Sequence, residues 1–524
     1  MRRAAVFMLA VALVVGFTLP ALAADVKFTG DFYVRGYSVN NSAVVENTLT
    51  GEGGGSLRNL TGRSLAGADS WFDERLRVNM VATVSDKLSI ISRFDIDEGE
   101  WGTPGGTPTG DRDGFANGFS VQRAFLRYTP SKQLMFDVGH NGWEWDGGYS
   151  FAKNRKTQPD GITAYWNVGP GRLILAYSKL NDCSDAGANR SSGCGGANRT
   201  FVTTVTTGSN VTAGQENDAD RDYSTVAYSF KVGAASLQPS ISYDRNTLDQ
   251  DVSVSRVMPR LFGSAKVGAF NIKFEGAYDW GKASCGQLPG VGNTTTTFSS
   301  FQHQVARCIT SPQVPEREVD IRSWVGYVEA GYAFGFGELG LQYVYASGDG
   351  DPNDERAAAW ASAGAVGATN DQGIAASVRH QDETGLLWYR NGGYGSNSTN
   401  QGNNGIGTVA GARSGRGFTN AQVYGGYGKF KVAGGDLLAN IFYAKANEVV
   451  MNNGTLIAGD SASTNQSKTY GTEVSATYFY PLLKELVLSA SGGYLWAGDY
   501  FKGGASGIEL KDPWVLQWAL TARF

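Results

Sequence analysis

From residue 25 to residue 524 the chain is laid out as stretches in which apolar and polar residues alternate, joined by connections that are tight and long by turns. In residues 25–39, Val26, Phe28, Phe32 and Val34 alternate with Lys27, Thr29, Asp31, Tyr33 and Arg35. In 87–97, Leu88, Ile90, Phe94 and Ile96 alternate with Ser89, Arg93, Asp95 and Asp97, and near residue 274 Phe270, Ile272, Phe274 and Tyr278 alternate with Asn271, Lys273, Glu275 and Asp279. A period of two marks a strand with one apolar and one polar face. Eighteen such stretches can be placed, the tenth over 258–268 and the fourteenth over 417–431. Tight links fall at Ser85-Asp86, Pro130-Ser131, Gly169-Pro170, Gly233-Ala234, Gly268-Ala269, Gly335-Phe336, Gly434-Gly435 and Pro481-Leu482, with a long link in every other gap. That parity predicts an all-β, antiparallel barrel of about 18 strands, or 16, with both ends on the short-turn side.

A water-soluble sandwich would show the same alternation, with the charged face in solvent and the apolar face in a core. Supply decides between the two. No amphipathic helix of useful length exists to cover so much apolar sheet, and the long connections are rich in Gly, Asn, Ser and Thr. Lipid is the missing cover, and the charged face must then line a wet lumen, because Arg or Lys on the lipid face costs about 2–4 kcal/mol at the midplane. Aromatic residues at 12%, charged residues at 18% and 71 glycines suit a transmembrane β-barrel with polar loops.

Arg2 and Arg3, the apolar run 4–19 and Pro20-Ala21-Leu22-Ala23 have the three parts of a secretory signal peptide, so the expected layout is a signal peptide, 1–23, followed by a single barrel domain, 24–524. No later apolar run reaches the ~18 residues of a spanning helix. The net charge of -4 becomes more negative when Arg2 and Arg3 leave, which excludes a nucleic-acid footprint. In the oxidising compartment that export implies, Cys183 is predicted to pair with Cys194 and Cys285 with Cys308.

The last stretch places Trp514, Leu516, Trp518, Leu520, Ala522 and Phe524 on one face and Gln517, Thr521 and Arg523 on the other. An open apolar edge there would invite aggregation, and barrel closure removes it. This ending resembles the C-terminal signal of bacterial outer-membrane proteins, carried by Phe524 at the end of an alternating strand with Trp514 and Trp518. The resemblance implies recognition by the outer-membrane assembly machinery and residence in the outer membrane of a Gram-negative bacterium.

Three groups of residues are candidates for function. Arg35, Arg75, Arg77, Arg93, Arg123 and Arg127 recur on the wet face of neighbouring strands, near Asp73, Asp95 and Asp97, and either satisfy a polar wall, act on permeant ions, or do both. The segment 141–149, with Glu144 and Asp146, is the third long loop and resembles the third loop of general porins, which implies a constriction facing the arginine wall; an ordinary surface loop is the other reading. The segment 345–354 resembles part of the alginate-export family of barrels, which implies export of an anionic polysaccharide. Its spaced carboxylates lack the Gly and Glu of a Ca²⁺-binding EF-hand loop, and a short helix is expected over 354–361.

Taken together the chain resembles the outer-membrane porins, which implies passive diffusion of small hydrophilic solutes or ions through a water-filled channel. It also implies outer-membrane lipid as the surroundings and, as for many porins, a homotrimer. Inward acids roughly balance inward bases, which favours diffusion over polyanion export; a structural or adhesive barrel is the third reading. No enzyme, cofactor or metal site is expected. Of His140, His303 and His380 only His140 falls on a strand, beside Val138 on the outward face, with no Ser or Asn partner in view.

Overall fold

The computed structural model describes residues 25–40, 68–100, 119–141, 160–182, 220–249, 252–285, 317–348, 356–358, 421–448, 467–499, 510, 512 and 514–524. The first six strands are β1 (Asp25–Asn40), β2 (Ala68–Ser85), β3 (Leu88–Glu100), β4 (Phe119–Tyr128), β5 (Leu134–His140) and β6 (Asp160–Val168). Next come β7 (Gly171–Asp182), β8 (Asp220–Val232), β9 (Ala235–Asp249), β10 (Val252–Val267), β11 (Phe270–Cys285), β12 (Arg317–Phe334) and β13 (Gly337–Ala346). After the two-residue β14 (Arg356–Ala357) the ring is completed by β15 (Ala421–Val432), β16 (Gly435–Ala446), β17 (Thr469–Pro481), β18 (Leu486–Ala497) and β19 (Trp514–Arg523).

Each long strand pairs antiparallel with the next long strand, and β19 pairs antiparallel with β1 from Asp31↔Arg523 to Asn40↔Trp514. Among the described residues this closes a ring of eighteen long strands, as the alternation predicts. The short-turn ends step regularly. Gly171 faces Phe230, two residues inside the end of β8, and Gly337 faces Phe430, two residues inside the end of β15. A two-residue step per hairpin, at ~3.3 Å per residue and ~4.8 Å between strands, tilts the strands by about 35°.

The turns follow from residues that tolerate positive φ. Gly169, Gly233 and Gly268 sit at φ +59°, +56° and +61° in the first turn position, as a type II′ hairpin requires, with Pro170 fitting the second position of its turn. The turn expected at Gly434-Gly435 lies one residue earlier: Ala433 and Gly434 both have positive φ, 47° and 80°, and Gly435 already belongs to β16.

Two expectations are corrected. The gap expected to be long before residue 258 holds only residues 250 and 251 between β9 and β10, because β10 starts at Val252, opposite Asp249. Pro259 within the stretch argues against a strand, yet it sits at an exposed position opposite Ile241. The inward face of β10 also mixes Val254 and Met258 with Arg256 and Arg260, which blurs the alternation. Second, Arg356 and Ala357 of the expected helix 354–361 form a strand, parallel to Asp320 and Ile321 of β12. Pairing with β13 stops at Val325, so the start of β12 has an edge that these residues cover.

The burial pattern is that of a soluble protein turned inside out. Outward positions such as Phe28, Ile162, Trp166, Val226, Trp280 and Leu341 are exposed, whereas inward Asp95, Asp137, Asp244, Glu275, Glu329 and Glu473 are buried. An apolar belt outside and a charged wall inside is the arrangement of a membrane-spanning barrel.

Candidate functional site

The inward face of β1–β5 carries the six predicted arginines, and the register brings them into one wall. Arg77 donates from Nε and Nη2 to the two carboxylate oxygens of Asp95 at 2.6 and 2.5 Å, and Arg127 does the same to Asp137 at 2.8 and 2.8 Å. Arg75 reaches Asp31 at 3.3 Å. The Tyr33 ring lies under two guanidiniums, with Arg35 at 4.0 Å and Arg75 at 4.7 Å from its centroid, and Arg35 also donates to the Tyr33 hydroxyl at 2.8 Å. Arg93 donates to Asn79 Oδ1 at 2.8 Å and faces Arg123 directly across β3 and β4.

The sequence placed Asp95 correctly as a partner and overlooked Asp31 and Asp137. Both stand on the inward parity of their strands, so the signal was the same alternation, applied to acids as well as to bases. Asp73 is opposite Arg35 in the backbone register, but its side chain and that of Asp97 lie outside the described residues, as do Glu144 and Asp146. Cys183, Cys194 and Cys308 are also outside, while Cys285 ends β11 opposite Val252 and Arg317.

The other half of the wall has the opposite bias. On β9–β17, between the rims, the described inward carboxylates are Asp244, Glu275, Asp279, Glu329, Glu338 and Glu473, six against the four bases Arg256, Arg260, Lys273 and Lys429. Arg256 is clamped between Asp244 at 2.8 Å and Asp279 at 2.7 Å, all three buried. Lys273 reaches Glu329 at 2.8 Å, and Glu338 accepts from Tyr427 and Asn271, both at 2.7 Å, and from Lys429 at 3.2 Å. On β1–β5 six arginines stand against Asp31, Asp95 and Asp137 among the described side chains. Counting long strands from β3 in either direction, the ninth is β12. The base-rich and acid-rich arcs are therefore centred across the barrel from one another.

His140 stands on the outward face, with Nδ1 3.2 Å from Asp160 Oδ1. At the closing seam the rings of Trp518 and Phe524 occupy the space beside two glycines of β1. A Cβ on Gly36 would lie 2.5 Å from Trp518 Nε1, and one on Gly30 would lie 2.5 Å from Phe524 Cζ. Trp514 pairs with Asn40 at the other end of the same seam.

No protein-family description matches the sequence, and no curated protein matches it significantly. Among solved structures the chain is similar to OccAB1 of Acinetobacter baumannii, at 10% identity over 96% of this chain and 98% of that one, with a TM-score of 0.46. It is similar to OpdK of Pseudomonas aeruginosa, solved with vanillate, at 11% identity over 95% and 98%, with a TM-score of 0.44. It is also similar to the Vibrio cholerae outer-membrane protein OmpT in its trimer form, at 12% identity over 96% and 100%, with a TM-score of 0.37.

Proposed function

We propose that this protein is an outer-membrane porin through which small hydrophilic solutes or ions diffuse passively, and that its arginine wall biases which ions pass. The observation that carries the reading is the inverted polarity of a closed barrel whose inward face carries charge on β1–β5 and again on β9–β17. A wall of carboxylates and guanidiniums is stable only against water or against one another, and water beside it is a path. The two unequal arcs support ion selection: Arg93 and Arg123 present adjacent positive charge toward an acid-rich wall across the lumen. Export of a polyanion calls for bases all round, and the acids of β9–β17 speak against it. Recognition by the assembly machinery through Phe524, a loop constriction built on Glu144 and Asp146, and a homotrimer belong to the same proposal.

Reconstitution of the purified protein into a planar bilayer tests it. Discrete conductance steps with an ohmic current in symmetric KCl are the expected result. A correctly assembled barrel that blocks current would instead favour a structural or adhesive role.

A further inference from the structure

Asp279 and Ser323 are direct register partners on β11 and β12, on the inward face, and each is only 1% exposed. Side chains so placed have Cβ atoms about 4.5–5.5 Å apart. Asp279 Oδ2 accepts from Arg256 Nη1 at 2.7 Å, but among the described residues Asp279 Oδ1 and Ser323 Oγ are buried with no hydrogen-bond partner, and they do not bond each other. Gly281 makes room for the guanidinium. It is the register partner of Arg256, and a Cβ on it would lie 2.6 Å from the Arg256 Cβ. The space that a side chain at 281 would fill lets Arg256 reach across to Asp279.

That guanidinium is divided. Arg256 serves Asp244 at 2.8 Å as well as Asp279 at 2.7 Å, so Asp279 has one oxygen on a shared cation and the other on nothing described. The inward neighbours of the free oxygen are apolar: Ile321 and Val325 flank Ser323 on β12, and Ala277 stands two residues from Asp279 on β11, all buried. A buried charge is costly unless it is paired and hydrogen-bonded. Where side chains leave buried polar atoms unsatisfied, a water or an ion completes them. A water between the two oxygens would satisfy both and leave the charge as it stands, whereas a monovalent cation satisfies both and adds the missing counter-charge. Carboxylate and hydroxyl oxygens suit a hard cation, and two of them fall short of the six to eight that a Ca²⁺ ion takes.

We infer that Asp279 Oδ1 and Ser323 Oγ hold an alkali cation, Na⁺ or K⁺, within the barrel wall. The ion links β11 to β12 beside the place where Arg256 links β9 to β11. It is a resident of the wall, distinct from any ion that diffuses through the lumen, and its binding does not depend on the barrel conducting.

Thermal unfolding of the purified barrel tests it, followed by heat-modifiable migration in NaCl, KCl and N-methylglucamine chloride at one ionic strength. A ligand that binds only the folded state raises the midpoint with its own concentration. The expected result is a higher midpoint in NaCl or KCl, rising as the alkali cation replaces the organic one. S323A keeps the carboxylate but loses one oxygen, and should need several-fold more alkali cation for the same rise. D279N removes the charge and should abolish the difference between the salts. Equal wild-type midpoints in all three salts would overturn the inference, as would an assembled D279N variant with the wild-type dependence. A midpoint that follows pH and ignores the cation would also overturn it, by placing a proton on Asp279 instead. If D279N does not assemble, S323A decides, and an unchanged concentration dependence in it overturns the assignment.

Discussion

Gly30 and Phe524 exchange backbone hydrogen bonds, from Gly30 N to Phe524 O at 2.8 Å and from Phe524 N to Gly30 O at 3.0 Å, with the Phe524 ring packed against the glycine. A Cβ at position 30 would also meet the Arg77 carbonyl oxygen at 2.3 Å, so a larger residue there pushes β1 away from both neighbours. Gly30→Val should sharply reduce the heat-modifiable, folded form in outer-membrane fractions, as should deletion of residues 514–524. A wild-type yield of folded Gly30→Val would show that the seam is not set by this contact.

Removing charge from the arginine wall should separate two kinds of arginine. Arg93 bonds a neutral side chain, Asn79, and faces Arg123, so R93A with R123A should leave the unfolding temperature nearly unchanged. It should move the zero-current potential in a KCl gradient toward cation preference, most strongly at low salt, where the Debye length is about 30 Å at 0.01 M. R77A is different because it strands the buried Asp95, at a cost of about 3 kcal/mol. Burial of the acid partner is what makes the difference. An unchanged potential in the assembled double variant would place selectivity elsewhere in the channel.

Arg256 is expected to be the most stability-critical charge described. Its replacement by Met leaves Asp244 and Asp279 facing each other without a cation, a loss of about 3–5 kcal/mol. Asp436→Asn, which removes only an exposed pair with Lys431 at the rim, should cost about 0–1 kcal/mol. Heat-modifiable migration as a function of temperature compares the two, and equal losses would contradict the buried clamp.

Ala433 is the one described residue other than glycine with positive φ. Left-handed backbone costs an L-residue about 1–2 kcal/mol, so Ala433→Gly should raise the unfolding midpoint, with Ala433→Asn close behind. A fall in the midpoint for both would mean that the turn relaxes with alanine in place.

Cys183 should be linked to Cys194, and Cys285, at the end of β11, to Cys308 in the connection that follows it. Mass spectrometry of non-reduced peptides checks the pairing, and free thiols or links between connections would refute it.

The closed sheet was legible because a strand's side chains alternate with a period of two whatever surrounds it. The parity of tight and long gaps supplied strand direction and number. The failures were local. Pro259 and the inward Val254 and Met258 disguised the start of β10, and an edge left by unequal strand lengths made a strand of Arg356 and Ala357. The arginine wall could be read from parity on adjacent strands. The acid-rich arc across from it could not, because only closure decides that β12 and its Glu329 stand across the lumen from β3.

Every seam between long strands but one joins neighbours in the chain, and the exception joins Asp31 to Arg523, 492 residues apart. Loop closure over that length costs only about 5 kcal/mol, a small part of what a full strand pairing returns. Time is the harder constraint. At ~5–20 residues per second, roughly half a minute to two minutes separate the synthesis of β1 from that of its last partner. Until β19 is available, the ten residues of β1 from Asp31 to Asn40 have no partner on that side. The rate at which finished barrels accumulate should therefore follow how well that edge is guarded before β19 arrives, more than how fast the hairpins between them form.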